Sequence, residues 1–223
     1  MKKIMFNDKY GLTKAVLEGR KTQTRRFIPK EFFTLQWDER DDTLVVENEF
    51  GDFIDIRNTK FCMLKVGEIV AVAQSYKTID DYYKSAYSYN HSAHGMTVCE
   101  FDGVSDKDVQ KWNMIAVNYR GKKIWTNKLF VKPELMLHFI RITNVRIERL
   151  QDISDEDCLA EGIQIGQCGS ADTHFMDVYY IPNEIQPYCL PKDAYAALID
   201  KVGKKGDWDS NPYVFVYDFE LIK

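Results

Sequence analysis

Short strand-like runs recur along most of this chain, and they do not alternate regularly with helical runs. That order excludes a doubly wound parallel sheet, which needs a helix after nearly every strand. Strand patterns cover Lys2 to Phe6, Phe32 to Trp37, Thr43 to Glu49 and Asp52 to Ile56, with Glu49-Phe50-Gly51-Asp52 as a tight turn. A turn at Val66-Gly67-Glu68 leads into a largely buried strand ending at Ala73. Lys122 to Val131, Leu137 to Leu150 and Pro212 to Ile222 complete the set, and Asn144 marks a bulge where the inward face of the longest run switches. Helical spacing covers Tyr10 to Leu17, a stretch near Ser105 to Trp112, Ser154 to Ala160, and Pro191 to Val202. Ser105 and Ser154 are N-cap candidates, and Asp155, Glu156 and Asp157 suit the positive end of a helix dipole. The expected fold class is α+β, a single domain over 1–223. Two less regular tracts, at about 79–119 and 163–190, read as insertions, and the tyrosines Tyr82, Tyr83, Tyr87 and Tyr89 in the first read as packing residues.

The segment Gly19-Arg20-Lys21-Thr22-Gln23-Thr24-Arg25-Arg26 carries the densest chemistry. It follows the first helical pattern, whose stop signal is Gly19. Threonine favours extended backbone, so the helix should give way to a strand start. Alternation sends Lys21, Gln23 and Arg25 to one face and Thr22, Thr24 and Arg26 to the other. An ammonium, a hydroxyl and guanidinium groups presented together suit an anionic or carbonyl-rich ligand.

The spacing Gly19-x-Lys21-x-x-Thr24-x-Arg26 resembles the signature loop of the ASCH domain, a branch of the PUA-like β-barrels. Thr24 stands where that pattern has Glu, as in the small bacterial ASCH amidohydrolases that act on N-acetylated cytidine. Glu148 to Ile163 is similar to the strand-to-helix passage of the same domain, in which the helix ends near a Glu, here Glu161. Trp208 to Phe219 resembles the last strand of longer ASCH-like proteins of phages and bacteria. The resemblance implies a PUA-like mixed β-barrel with a few peripheral helices. It implies catalytic roles for Lys21, Thr24 and Glu161, with Gly19, Arg20, Thr22, Arg25 and Arg26 as ligand-binding residues. Two departures stand out: the amidohydrolases are about half this length, and His138 occupies the neighbourhood after Pro133 where longer relatives carry Arg.

Composition narrows the partners. A net charge of -4 over 223 residues argues against sequence-independent coating of nucleic acid, yet leaves room for a local basic pocket. Thirteen Tyr, thirteen Phe and four Trp supply stacking surface. Cys62, Cys99, Cys158, Cys168 and Cys189 lack metal-binding spacing and, with no apolar leader, read as reduced cytoplasmic thiols. His91 and His94 read as a casual surface pair, and neither a metal, a cofactor nor a membrane is expected. The leading expectation is recognition of RNA or a modified nucleoside. The alternative is a metal-independent amidohydrolase in which Lys21, its pKa lowered, activates Thr24 while Glu161 orients the amine. A third reading is an interaction protein with a decayed site.

Overall fold

The structure is a computed structural model that describes residues 1–28, 35–39, 43–48, 50–94, 106–169 and 174–222. In chain order its elements are β1 (Lys2–Ile4), α1 (Leu12–Leu17), β2 (Gln23–Phe27), β3 (Gln36–Asp38), β4 (Thr43–Glu47), β5 (Phe53–Asp55), β6 (Ile69–Val72), α2 (Tyr76–His94), α3 (Asp106–Tyr119), β7 (Phe139–Arg149), α4 (Asp155–Ala160), β8 (Gln164–Cys168), β9 (Met176–Tyr180), β10 (Pro187–Tyr188), α5 (Pro191–Val202) and β11 (Tyr213–Ile222). The α+β class is therefore as expected. Among the described residues no sheet closes into a barrel. The chain divides into two compact units, one of Met1–Met5 with Val70–Phe139 and one of Phe6–Ile69 with Ile140–Lys223.

In the first unit β1 pairs in parallel with β6, Lys2 opposite Val70 and Ile4 opposite Val72. The first of the two less regular tracts, expected to carry helix near Ser105 to Trp112, holds two helices, α2 and α3. The reason is packing. Tyr76, Ile79 and Tyr83 fall at helical spacing on one face of α2 and are buried with Ile115 of α3. Tyr76 stacks on Tyr119 with centroids 4.1 Å apart. Asp80, fully buried, accepts from Trp112 Nε1 at 2.9 Å and Arg120 Nη2 at 2.5 Å. Its other oxygen lies 2.6 Å from Lys84 Nζ, an ionic contact rather than a well-aligned hydrogen bond. The Ser105 cap lies outside the described residues.

The strand expected over Lys122 to Val131 is a correction: the backbone there makes turns, and a single 3₁₀ turn spans Lys128–Phe130. Asn127 explains it, because its side chain accepts the Leu129 N–H at 2.9 Å and so competes with strand pairing. The Lys3 ammonium then donates to the carbonyls of Leu129 at 2.5 Å and Val131 at 2.8 Å, satisfying them without a ladder. With that strand missing, barrel closure loses one of its expected staves.

In the second unit the strand order is β7-β11-β2. β11 lies between the other two and is buried on both faces, Val214, Phe215, Val216 and Tyr217 in an unbroken run. On β7 the buried positions are Ile140 and Ile142, then Val145 and Ile147. The phase therefore shifts at the position expected for the bulge, where the Asn144 side chain accepts the Val145 N–H at 2.9 Å. The tract expected as the second insertion is not loop-rich: β8, β9 and β10 form an antiparallel sheet in the order β10-β9-β8. Gly166 permits this, since a Cβ there would meet the Tyr180 ring at 2.9 Å. β3, β4 and β5 form a third sheet, antiparallel throughout. The first part of the expected strand from Phe32, and Glu49 of the expected turn, lie outside the described residues.

Candidate functional site

Two helix endings of the same design build the site. At the end of α1 the N–H of Gly19 donates to Val16 O and that of Arg20 to Ala15 O. At the end of α4 Gly162 donates to Leu159 O and Ile163 to Cys158 O. Both are Schellman motifs, in which a residue of positive φ reverses the chain. Gly19 has φ 73° and Gly162 φ 108°. A Cβ on Gly162 would also stand 3.4 Å from Leu12 and 3.6 Å from the Lys21 stem, so glycine allows the two endings to touch. Ser154 caps α4 by accepting the Asp157 N–H at 3.1 Å. Between the two endings, Thr22 donates its N–H to Ala160 O at 2.9 Å and accepts from Phe219 N–H at 2.8 Å.

This clip delivers Lys21 to Glu161 across 140 residues of sequence. The Lys21 amine donates to Glu161 Oε2 at 2.5 Å and to the Glu161 carbonyl at 2.7 Å. The two side chains are only 2% and 6% exposed. Burial pushes the Lys21 pKa down, against the charge and hydrogen bond of Glu161, while Arg26 and Arg25 depress it further. Phe6 offers its ring 5.8 Å from the amine.

Arg25 sits on the same face, as alternation predicts. Its guanidinium reaches Glu161 Oε1 at 3.3 Å, Glu148 Oε2 at 2.9 Å and Asp157 Oδ2 at 2.8 Å. Gln23 donates to Asp157 Oδ1 at 3.0 Å and Asp218 Oδ1 at 2.7 Å, and accepts from Arg25. Arg146 closes the network with Asp157 at 2.6 Å, Asp218 at 2.5 Å and a further contact to Glu148. Burial alone would raise Asp157, yet hydrogen bonds from Arg25 and Gln23 and the charges of Arg25 and Arg146 hold it below its usual value.

The remaining expected residues are placed differently. Thr24 is buried on β2, alternates with Gln23 and Arg25, and stands opposite Tyr217. Among the described residues its hydroxyl makes no hydrogen bond to Lys21 or Glu161. Arg26 stands opposite Phe215 and is half-buried; burial disfavours its charge against the pull of Glu161. Arg20 turns outward and pairs with Glu18 at 2.6 Å. Thr22 is exposed and contributes through its backbone, and Gly19 through its conformation.

Sequence reasoning put Gln23 on the face of Lys21 and Arg25 without a role for it, and missed Arg146, Glu148, Asp157, Asp218 and Tyr195 as members of the site. Arg146 and Glu148 did carry a signal, two charges at period two on a strand whose intervening positions are apolar. Asp157 was read for its helix position alone. Tyr195, in α5, carried no signal apart from amphipathic spacing. It is fully buried, and burial, followed by the charge of Glu161, raises its pKa well above that of an ordinary phenol. Among the described residues neither the Tyr195 hydroxyl nor Arg25 Nε has a well-aligned hydrogen-bond partner, although the Tyr195 hydroxyl is near enough to Glu161 for hydrogen bonding to add to the rise in its pKa. Two buried donors beside a Lys–Glu pair thus remain unsatisfied, where a partner is the norm.

No three His, Cys, Asp or Glu side chains gather in metal-binding geometry among the described residues, and no helix there is long and apolar enough to cross a membrane. Compared with known proteins, the chain matches no family model, no curated protein and no solved structure.

Proposed function

We propose that this chain is an ASCH-type, PUA-like protein that recognises a nucleoside, or one modified nucleoside within a short RNA, at the cluster around Lys21 and Glu161. The carrying observation is the pair of unsatisfied donors, Tyr195 Oη and Arg25 Nε, beside a buried amine and carboxylate. Together they are complementary to a ligand oxygen, such as a base carbonyl or a ribose hydroxyl. The surrounding cations are already matched by Glu148, Asp157, Asp218 and Glu161, which disfavours a run of phosphates and favours a small, mostly neutral ligand. Calorimetric titration of cytidine, uridine and N-acetylated cytidine against the wild type and Tyr195→Phe tests this. Loss of one neutral hydrogen bond should weaken binding about 3- to 10-fold. Absence of any nucleoside binding by the wild type at millimolar concentration would sink the reading.

A second reading, hydrolysis of an N-acylated pyrimidine nucleoside, is favoured by the lowered pKa of Lys21, which burial drives down against the opposing effect of Glu161. In it the neutral amine takes the Thr24 hydroxyl proton, and the alkoxide oxygen attacks the acyl carbon. The C–N bond breaks as the lysine ammonium returns that proton to the leaving amine, and water then cleaves the acyl-threonine ester. Thr24→Ala should abolish turnover and spare binding. Chromatography that finds no cytidine after incubating wild type with the acetylated nucleoside eliminates this route alone.

A further inference from the structure

The first unit holds a recess that none of the chemistry above uses. It is a cavity of about 230 Å³ walled by α2 (Tyr82, Tyr83), α3 (Asp108, Lys111) and the segment Glu134 to Phe139. That volume lies below the roughly 300–1,000 Å³ typical of sites for drug-sized ligands, so the occupant is small. The 134–139 wall is pinned. Leu135 and Met136 donate to the carbonyls of Lys132 and Pro133, the Leu137 N–H donates to Gln74 Oε1 at 3.1 Å, and the His138 carbonyl accepts from Val72. Behind Tyr83 stands Trp112, stacked on it at 5.9 Å.

The lining specifies a ligand class. Tyr82 meets Tyr83 edge-on at 5.5 Å and His138 edge-on at 6.4 Å, so aromatic edges and faces border the space. Leu135, Leu137 and Phe139 add apolar surface. Lys111 is matched by Asp108 at 3.4 Å, which leaves the Glu134 carboxylate as the wall's surplus charge. Burial lowers the pKa of His138, so at neutral pH the imidazole contributes one N–H donor and one acceptor nitrogen and no charge. An aromatic slot with a surplus acceptor and no surplus cation fits a flat ring bearing an amino group and repels phosphate.

We propose that this recess binds an amino-bearing heteroaromatic base of the cytosine or adenine type, free or as its nucleoside, with the exocyclic amine donating to Glu134 and the ring against Tyr82 and His138. The site is separate from the Lys21–Glu161 cluster and does not depend on the function proposed there.

The experiment titrates the full chain with cytidine, adenosine, uridine and cytidine monophosphate, read by calorimetry and by tryptophan fluorescence, since Trp112 backs the recess. The same titrations are run on Glu134→Gln, Tyr82→Ala and Arg141→Ala. Both recess residues are partly or well exposed, so those variants should fold, which circular dichroism checks. Expected are binding of cytidine and adenosine, at least 10-fold weaker binding of uridine and of the monophosphate, and an at least 10-fold loss in Glu134→Gln and Tyr82→Ala. Arg141→Ala, at an exposed pair with Glu220 away from the recess, should leave these affinities unchanged. Uridine or the monophosphate binding as well as cytidine, or no binding of either amino nucleoside by the wild type, overturns the proposal. Undiminished binding in both Glu134→Gln and Tyr82→Ala also overturns it and assigns the ligand to another part of the chain.

Discussion

The two sites of this molecule handle polar groups in opposite ways. Around Lys21 and Glu161 the charges are buried, paired and cross-linked from four elements. In the recess beside His138 most polar groups keep contact with solvent, and the walls mix aromatic rings with polar side chains. A buried ion pair has given up its hydration, so each member depends on the other. A half-open slot asks little of its lining until something enters. The first arrangement therefore ties its side chains to the stability of the fold, and the second does not.

The sharpest way to break that contrast is to remove one charge from the buried pair. Lys21→Met or Glu161→Gln should cost about 3–5 kcal/mol in urea unfolding, because the survivor is left buried and uncompensated. Glu134→Gln in the recess should stay within about 0.5 kcal/mol of wild type. Equal losses at the two sites would erase the distinction. Gly162→Ala comes next: a side chain at φ 108° against Leu12 and the Lys21 stem should cost about 1–3 kcal/mol and weaken the Lys21 contact along with it. A crystal structure of that variant with the pair unmoved would show that the glycine serves only its own turn. Ser154→Ala, which strips the cap from α4, should cost about 1 kcal/mol by thermal unfolding and leave the recess titrations untouched.

Acid is the gentlest probe. The Asp157 pKa is depressed in the folded state, so its contribution is complete above its unfolded value near ~3.9 and fades as pH falls through the folded value below that. Stability followed from pH 6 downward should hold its Asp157 share until about pH 4 and then drop. In Asp157→Asn that part of the acid limb should flatten. An unchanged limb would mean that the aspartate's partners hold it no better than water does.

Some of this was readable from the chain. The helix from Leu12, the buried β11, the Ser154 cap and the alternation that places Lys21, Gln23 and Arg25 together all follow from local pattern. Lys21 and Glu161 were named, and the structure brings them into contact. The network around them was not readable, because its members come from β2, β7, α4 and β11, and no local rule links residues so far apart. Asn127 hid the outcome for 122–131, since one side-chain hydrogen bond outweighed the strand-like composition. Strands β8, β9 and β10 occupy a tract expected to be less regular because tertiary burial of residues such as Val178 rewards order that their polar neighbours conceal.

The backbone of Thr22 is held from one side by Ala160 and from the other by Phe219. During synthesis the grip of Ala160 is available before that of Phe219, which waits for β11 to leave the ribosome. A nascent chain stalled before β11 holds Lys21 with no finished cradle for it. The backbone frame around Lys21 is therefore complete only once the last strand has been made.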